Sequence, residues 1–465
     1  MFLSTETPAW HQHVGGLTIL DARGAPNFGF DRVRSMLEDV LDLVPKYRMK
    51  LKEVPLHLDR PVWVDDPDFD IDRHLLRIAV PPPGGRHEVA DLVGQLLSHQ
   101  LDRSRPLWET WFIDGIAGDK VALFMKYHHS LMDGMSGASL AEQLFDLDPD
   151  PPPKPAAARP PRRRREQEPS DAELVLRSIV PTVRIPRRVA TYGYQLARRG
   201  VALARHGLGG GATQLTAPDT PFNGEVGPHR KLAFASVSLD DVKRLKKELD
   251  VKVNDIILAL SSGALRRYLE GLGELPDEPL VAQVPISTRV GDDRDQTNQV
   301  ASMMVPIATN VADPVERVRA IYESSQSGKA MTEAVRARRI QSLGEVAPPL
   351  LFNVASRAVW AAKLSGRAPA IGNVVISNVP GPPFDLYTGG ARVVGIYSAS
   401  VIIFNLGLNI TVMSYGDRVD FGITVDPDLV PDPWDIAEGI GVALAELLRA
   451  TDLGDPTPVH DAFET

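Results

Sequence analysis

Apolar and polar positions along the first third of the chain follow patterns that predict both helices and strands. In residues 30–43 and 88–101 the apolar side chains recur at intervals of three and four, as on one face of a helix. Residues 120–127 form a nearly continuous apolar run, which predicts a buried strand, and residues 134–147 predict a helix after it. This mixture is typical of an α/β domain.

The C-terminal part of the chain has more strand patterns than the N-terminal part. Apolar runs predict strands at residues 231–237, 279–286, 300–309, 373–377, 401–414 and 419–425. Longer segments with a helical period predict helices at residues 238–249, 255–272, 314–337 and 433–449. We therefore expect an α/β fold with mixed sheets in both halves.

A proline- and arginine-rich insert separates the two halves. Residues 148–170 contain eight prolines and four consecutive arginines, which predicts an extended linker. Residues 171–206 have an amphipathic helical pattern that we expect to be broken near Pro181 and Pro186. The predicted units are an N-terminal domain at residues 1–147, the insert at residues 148–221 and a C-terminal domain at residues 222–465.

The positive charge of the chain is concentrated in this insert. From Lys154 to Arg205 there are 13 Lys and Arg against four Asp and Glu, a net charge of +9. Because the whole chain has a net charge of −9, the remainder carries −18. A basic amphipathic segment can lie on an anionic membrane surface. Alternatively, it is a solvated linker whose helix packs on its own domain, and the sequence leaves both interpretations open.

Composition excludes several classes of protein. With 465 residues, 43% apolar and 24% charged, the chain has the composition of an ordinary globular protein, and its acidic balance argues against a general nucleic-acid binder. The absence of cysteine excludes disulfides, thiol nucleophiles and cysteine-based zinc sites. The longest apolar stretch, residues 393–413, is interrupted by Ser and Asn and predicts strands rather than a membrane span. The first residues lack the pattern of a signal peptide.

The strongest candidate for chemistry is the run Tyr127-His128-His129-Ser130-Leu131-Met132-Asp133-Gly134, between a predicted strand and a predicted helix. A histidine can accept a proton near neutral pH, and a carboxylate four residues later can hold its tautomer or anchor the turn. Other interpretations stay open. The histidines can be surface residues, His129 and Asp133 can bind a metal ion, or Asp133 can cap the following helix.

Four further motifs accompany the HHxxxDG pattern of this run. They are Pro106-Leu107-Trp108-Glu109, Asn254-Asp255-Ile256-Ile257-Leu258-Ala259, Pro285-Ile286-Ser287-Thr288-Arg289 and Ile376-Ser377-Asn378-Val379-Pro380-Gly381-Pro382. HHxxxDG is the signature of coenzyme A-dependent acyltransferases. The full set, in this order, resembles the bacterial wax ester synthase/acyl-CoA:diacylglycerol acyltransferase (WS/DGAT) family over residues 2–448. Members of that family usually carry several more residues before the pair seen here as Phe2-Leu3, so we expect this chain to begin inside that segment.

The resemblance implies a fold and a mechanism. Two chloramphenicol acetyltransferase-like domains of mixed sheet and helix are expected, with a channel between them in which acyl-CoA and the acceptor meet. His129 is the implied general base, which takes the proton of an acceptor hydroxyl as that oxygen attacks the thioester and coenzyme A leaves. Acyl-CoA is then a co-substrate, and neither a metal nor a permanently bound cofactor is expected.

The resemblance also implies supporting residues. Asp133 is expected to pair with a distant arginine, for which Arg289 is the candidate, or alternatively with His129. His128 is expected to pack or hydrogen-bond beside the catalytic edge. The remaining motif residues are expected to support the site or to be scaffold: Gly134, Pro106, Leu107, Trp108, Glu109, Asp255, Ser377, Asn378, Pro380 and Gly381, with residues 378–382 as a rigid turn.

A tetrahedral intermediate also requires a hydrogen-bond donor for its oxyanion. The motifs offer Asn254, Ser287 and Thr288 as candidates. Asn254 precedes an apolar helix and can equally be its N-cap. Ser287 and Thr288 follow a predicted strand and can equally be turn residues.

The implied function is transfer of a long acyl chain from acyl-CoA to the hydroxyl of diacylglycerol or of a fatty alcohol, with diacylglycerol preferred. A different hydroxyl acceptor, such as a polyketide alcohol, is one alternative, and a non-catalytic lipid-binding or membrane-associated protein on the same fold is another. The expected location is cytoplasmic, peripheral at the inner face of the plasma membrane or on lipid inclusions. No nucleic-acid partner is expected, and the sequence does not indicate an oligomeric state.

Overall fold

The computed structural model of the protein describes residues 3, 6–7, 9–131, 144–150, 168–183, 217–287, 300–337, 372–403 and 405–464. Its strands are β1 (His13–Asp21), β2 (Met49–Lys52), β3 (Val62–Asp65), β4 (Leu75–Ala79), β5 (Trp108–Ile116), β6 (Lys120–His128), β7 (Lys231–Ser238), β8 (Val281–Ser287), β9 (Val300–Pro306), β10 (Val374–Val379), β11 (Tyr387–Thr388), β12 (Ala391–Ala399), β13 (Leu408–Tyr415) and β14 (Arg418–Val425). Its α-helices are α1 (Phe30–Leu43), α2 (Arg86–Ser98), α3 (Asp171–Val183), α4 (Leu239–Glu248), α5 (Val253–Leu272), α6 (Pro314–Ala337) and α7 (Trp434–Ala450).

The first six-stranded sheet combines strands from both ends of the chain, in the order β11-β12-β1-β6-β5-β4. β1 pairs antiparallel with β6 on one side and with β12 on the other, so that Leu17 lies opposite both Phe124 and Tyr397. β4 pairs in parallel with β5. The C-terminal half therefore supplies two strands of the sheet that carries the histidine pair.

The second six-stranded sheet has the order β7-β14-β13-β10-β8-β9 and mixes parallel with antiparallel pairs. All eight residues of β14 are buried, as expected for a strand that is covered on both faces. The expected α/β fold with mixed sheets is confirmed.

The two sheets share one apolar core. The helix α2 packs against β7 of the second sheet, where Gly94 comes so close that a Cβ would lie 2.7 Å from the carbonyl oxygen of Arg230. β12 crosses β14, and a Cβ at Gly422 would overlap the carbonyl oxygen of Ser398. Because neighbouring backbones touch at both places, a side chain at either glycine would push the sheets apart.

A buried ion pair lies in this core between the sheets. The Arg418 guanidinium donates to Oδ1 of Asp420 at 2.7 Å, and both side chains are nearly inaccessible to solvent. The same guanidinium reaches Ser236 and the hydroxyl of Tyr397, which lies on β12 of the first sheet. We call these four residues the arginine cluster.

Most predicted elements are confirmed, and several bounds are corrected. The helix at residues 30–43 is present with those bounds, and the long helix predicted at 314–337 is also present with those bounds. The strand predicted at 401–414 begins only at Leu408. The described part of α3 runs from Asp171 through Pro181 to Val183, so the expected break does not come at the proline itself, and Pro186 lies outside the described residues.

The division of the chain into residues 1–147, 148–221 and 222–465 stays a prediction, and β11 and β12 cross it. Of the insert, the structure describes residues 148–150, 168–183 and 217–221, and of the predicted helix at 134–147 only residues 144–147. The start of α3 is tied to the N-terminal half, since Lys52 contacts Glu168 at 2.9 Å and Asp171 at 3.4 Å. In the part of the chain that the structure describes, none of the helices has both the length and the apolarity that crossing a bilayer requires.

Candidate active site

The two histidines of the motif lie at the carboxyl end of β6, where main-chain hydrogen bonds hold them from both sides. The N–H of His128 donates to the carbonyl of Leu107 at 2.9 Å, and the N–H of His129 donates to the carbonyl of Gln12 at 2.8 Å. β1 pairs with β6 so that His13 lies opposite His128. The backbone of the motif is therefore fixed by β5 on one side and by the start of β1 on the other.

The ring of His129 is half-buried directly after the end of β6. Burial is the largest influence on its pKa and lowers it below the ordinary value of 6.5, while its own main-chain carbonyl raises it. The ring is thus neutral at pH 7, and one of its nitrogens has a lone pair that can accept a proton.

The contacts of the His128 ring fix its tautomer. The ring is buried, and its Nδ1 accepts the main-chain N–H of Ser130 at 3.0 Å and lies 2.6 Å from the Ser130 hydroxyl. A nitrogen that accepts an N–H carries no proton, so the proton lies on Nε2, which donates to Oε1 of Glu6 at 2.9 Å. Because both nitrogens of His128 are engaged, the geometry favours His129 as the base.

Glu6 is a residue that the sequence did not indicate. Burial raises the pKa of its carboxyl group, but the hydrogen bonds from His128, Gln12 and Arg103 outweigh burial and lower the pKa to about 2. The carboxylate is therefore ionised at every pH at which the site would work.

Three further polar side chains lie beneath the motif and were also missed. The rings of His11 and His13 are in contact, with 4.4 Å between centroids and a tilt of 38° between their planes. Burial lowers the pKa of His11 to about 4 and that of His13 further. The buried ammonium of Lys126 donates to the carbonyls of Leu96 and His99 at 2.9 and 2.5 Å. We call Glu6, His11, His13, Lys126 and His128 the histidine cluster. In the sequence, the run His11-Gln12-His13 was the signal from which this cluster could have been predicted.

The predicted scaffold motif at residues 106–109 lies directly beside the histidines. Trp108 pairs with Tyr127 across β5 and β6, and its indole N–H donates to the carbonyl of Tyr47 at 2.8 Å. Glu109 approaches the Lys126 ammonium at 3.6 Å. Pro106 and Leu107 precede β5 and provide the carbonyl that holds His128.

Asn254 and Asp255 lie in the first turn of α5. The expectation that Asn254 caps this helix is wrong, because the helix begins at Val253 and Lys252 is the N-cap. The capping contact is made by Asp255, whose Oδ2 accepts the N–H of Lys252 at 3.0 Å. Among the described residues, the half-buried side chain of Asn254 forms no hydrogen bond, so its amide can donate to a ligand.

The remaining described motif residues lie together at one edge of the second sheet. β8 ends at Ser287, and β10 contains Ser377 and Asn378 near its end. These strands are parallel neighbours, so their carboxyl ends meet at the same edge. The expectation that the turn begins at Asn378 is wrong, since β10 pairs with β13 as far as Val379.

The turn that follows β10 is tightly packed. Gly381 lies against β13, where a Cβ would overlap the carbonyl oxygen of Ser414, and its N–H donates to the Ser414 hydroxyl at 3.1 Å. Pro380 joins this glycine to the end of the strand.

Four predicted site residues lie outside the described residues: Asp133, Gly134, Thr288 and Arg289. Of Ser287 only the backbone is described. Among the described residues, no group of three or more His, Asp or Glu side chains is arranged to hold a metal ion.

Comparison with known sequences adds independent evidence. Residues 1–257 match the wax ester synthase/diacylglycerol acyltransferase catalytic domain, and residues 296–448 match the WS/DGAT C-terminal domain. A putative diacylglycerol O-acyltransferase of Mycobacterium tuberculosis is 37% identical over 97% of this chain and 89% of the relative. Another from Mycobacterium bovis is 35% identical over 91% of each chain.

Solved structures give the same result for the fold. The wax ester synthase/diacylglycerol acyltransferase from Marinobacter aquaeolei superposes with a TM-score of 0.69 and 28% identity, over 97% of both chains. The starter condensation domain of rhizomide synthetase superposes with a TM-score of 0.50 and 13% identity, over 98% of this chain and 92% of that one. The second likeness concerns the fold alone.

Proposed function

The chain belongs to the wax ester synthase/diacylglycerol acyltransferase family, and we propose that it transfers a long-chain acyl group from acyl-CoA to the hydroxyl of diacylglycerol. The observation that carries the proposal is the difference between the two histidines of the motif. Both ring nitrogens of His128 are engaged, by Glu6 and by Ser130, whereas His129 is a half-buried neutral imidazole that can accept a proton.

In the proposed reaction, the imidazole of His129 takes the proton of the acceptor hydroxyl as the hydroxyl oxygen attacks the thioester carbonyl. The tetrahedral intermediate then collapses, the C–S bond breaks, and the imidazolium returns the proton to the leaving thiolate of coenzyme A. The ring ends the cycle neutral, and no acyl-enzyme is formed. General acid–base catalysis of this kind typically contributes about 10²–10⁴-fold in rate.

The oxyanion of that intermediate requires a donor, for which we propose Asn254. Its amide lies in the first turn of α5, where the positive end of the helix dipole also favours negative charge. Ser287 and Thr288 remain the alternative donors at the neighbouring edge of the second sheet. The proposed pairing of Asp133 with Arg289 would brace the motif from outside the reacting groups.

Fatty alcohols are the second class of acceptor that we propose. The Marinobacter aquaeolei relative carries both activities in its name, and its similarity extends over almost the whole chain. A fatty alcohol presents the same primary hydroxyl and a similar apolar chain as one arm of diacylglycerol. The same base would therefore serve both acceptors.

An acceptor assay tests the proposed function. The purified protein is given palmitoyl-CoA with diolein, with hexadecanol or with no acceptor, and free thiol and lipid products are measured with and without a chelator. We expect thiol release that depends on an acceptor, is greater with diolein and is unchanged by the chelator. Thiol release without any dependence on an acceptor would overturn the transferase proposal.

We also propose that the protein works peripherally on the cytoplasmic face of the membrane or on lipid inclusions. The support is the +9 charge of the insert. Its helix α3 also has an exposed apolar side chain, Leu176. Each basic residue near an anionic surface contributes about 1 kcal/mol to binding.

Liposome flotation tests the membrane proposal. We expect Arg→Ser changes at residues 162–165 to weaken binding to anionic vesicles. A matched control removes four exposed cations outside the insert: Lys243, Lys246, Lys247 and Arg267. Equal losses in both variants would mean that binding follows overall charge and that the insert is not the anchor.

A further inference from the structure

Glu6 lies ahead of β1 and outside every motif, yet its carboxylate is buried between two parts of the candidate active site. Its side chain is 7% exposed. Oε1 accepts from Nε2 of His128 at 2.9 Å and from the main-chain N–H of Gln12 at 2.6 Å, and Oε2 accepts from the guanidinium of Arg103. One carboxylate oxygen thus holds two partners, both of which belong to the surroundings of His129.

Each partner controls a different part of His129. The carbonyl of Gln12 accepts the N–H of His129 at 2.8 Å, so Glu6 and His129 hold the two main-chain polar groups of the same residue. His128 is bonded directly to His129, and its ring orientation is set by Glu6 at one nitrogen and by Ser130 at the other. Glu6 therefore acts on the backbone of His129 by two routes, through the preceding residue His128 and through the carbonyl of Gln12.

The backbone matters because it sets where the ring of His129 stands. A shift in the peptide planes on either side of this residue would move the ring and with it the nitrogen that accepts the proton. Misplacement by about 1 Å at a catalytic group can cost about 10²-fold in rate.

The charges around Glu6 keep it an anion. Arg103 binds one carboxylate oxygen from the solvent side, and His128 and Gln12 donate to the other oxygen. Charge-assisted hydrogen bonds are shorter and about twice as strong as neutral ones. A carboxylate is thus better suited than a neutral amide to hold two donors at once in this position.

We propose that Glu6 is a positioning residue for His129, which acts by fixing the tautomer of His128 and the carbonyl of Gln12. It touches neither substrate nor the reacting nitrogen. The proposal rests on the proposed function, because its kinetic test reads acyl transfer.

The kinetic test compares two variants with palmitoyl-CoA and diolein. Glu6→Gln keeps one acceptor oxygen but loses the charge, and we expect kcat to fall about 10-fold. Glu6→Ala leaves both donors without an acceptor, and we expect kcat to fall about 10²-fold. The KM for palmitoyl-CoA should change less than about twofold in both, since Glu6 lies outside the substrate contacts.

A spectroscopic measurement separates positioning from general stability. Long-range ¹H–¹⁵N spectra of histidine-labelled protein report the tautomer of each ring, and signals are assigned by their loss in His128→Gln and His129→Gln. We expect the Nε2–H signal of His128 to move upfield in both Glu6 variants, because its charge-assisted acceptor is lost. We expect the ring signals of His129 to shift with it, because the main chain that carries the ring moves.

Arg103→Gln provides the matched control. It removes the exposed partner of the same carboxylate and touches neither histidine, so kcat should stay within twofold and the His128 signal should stay in place. An equal loss in Arg103→Gln, normal activity in Glu6→Gln, or a loss of kcat with unchanged histidine signals would each overturn the proposal.

A failure to fold and a failure of the proposed function can both be distinguished from a failure of the positioning proposal. If Glu6→Ala does not fold, Glu6→Gln carries both measurements by itself. If the unaltered protein shows no acceptor-dependent thiol release, the proposed function has failed. The histidine spectra alone then decide whether Glu6 sets the tautomer of His128.

Discussion

The arginine cluster and the histidine cluster are both buried, but they use their hydrogen-bonding groups differently. In the arginine cluster the Arg418 guanidinium meets Asp420, Ser236 and Tyr397 and also the carbonyls of Val394 and His460. The other oxygen of Asp420 accepts the N–H of Ile396 at 3.0 Å. The charges and donors of this cluster are matched, and its effect is to tie β14 to β12 and β7.

The histidine cluster keeps polar atoms unmatched. Nδ1 of His11 and Nδ1 of His13 are buried and have no hydrogen-bond partner among the described residues. Burial also lowers the pKa of both rings, so they are kept neutral. A buried polar group without a partner costs about 1–3 kcal/mol, which natural sequences tolerate mainly at functional sites. The comparison indicates that the first cluster serves stability and that the second serves the chemistry of its neighbour.

The largest expected effect is the loss of activity in His129→Ala, at the residue that the histidine cluster surrounds. Loss of the base should lower kcat/KM up to about 10⁴-fold and leave the thermal midpoint within a few degrees, because the ring is half-buried and outside the arginine cluster. The measurement is thiol release from palmitoyl-CoA with diolein, next to a melting curve.

The pH profile of the unaltered enzyme sharpens this prediction. A base acts in its neutral form, so kcat/KM should be flat above pH 7 and fall on the acid side with a midpoint below 6.5, where the pKa of His129 lies. His229→Ala, at an exposed histidine, is the control and should leave the rate unchanged. A His129→Ala variant with normal activity would remove the assigned base.

The second effect is on stability and is expected from Asp420→Ala. It leaves the buried guanidinium of Arg418 unpaired, which typically costs about 3–5 kcal/mol. Urea unfolding measures the loss, and kcat of the folded fraction should stay within a factor of two. The double variant Arg418→Met/Asp420→Leu should recover most of the stability. A loss below about 1 kcal/mol would show that the arginine cluster does not hold the sheets together.

The smallest effect concerns pH and the histidine cluster. The pKa of His11 is about 4 in the folded protein and 6.5 in the unfolded chain, so the unfolded chain binds more protons between these values. The stability that depends on neutral His11 is complete above pH 6.5 and is lost as the pH falls towards 4. At pH 5 the loss is about 2 kcal/mol.

We therefore expect His11→Gln to flatten the acid side of the stability profile. The free energy of unfolding is measured by urea at pH 7.5 and pH 5, and the difference between the two should shrink by about 2 kcal/mol relative to the unaltered protein. His229→Gln serves as the exposed control. An unchanged difference would mean that His11 is solvated and that the histidine cluster is less buried than described.

Local patterns predicted the elements far better than their assembly. The helix α1 was found because six apolar residues recur on one face. β1 was missed because Gly15 and Gly16 interrupt its apolar pattern. Gly15 is needed there, since a Cβ would overlap the ring of Phe124. The pairing of β1 with β12 joins residues more than 370 positions apart, and no local pattern carries that information.

The site was predictable where a single segment contains it. His129 follows from the run at residues 127–134, but its partners Glu6 and Gln12 reach it only through the register of β1 against β6. The error at Asn254 arises within a single turn. The capping contact of Asp255 starts α5 two residues earlier than the apolar pattern of the helix suggests.

The position of β12 next to β1 has a consequence for synthesis on the ribosome. β1 ends at residue 21 and its partner begins at residue 391, so about 20–75 s of translation separate the two at typical bacterial and eukaryotic speeds. During that time one edge of the nascent first sheet has open main-chain donors and acceptors, which invites pairing with other chains. The histidine pair is synthesised early, but its sheet closes late. A fragment that ends before β12 should therefore require a chaperone or a separately supplied strand to stay in solution.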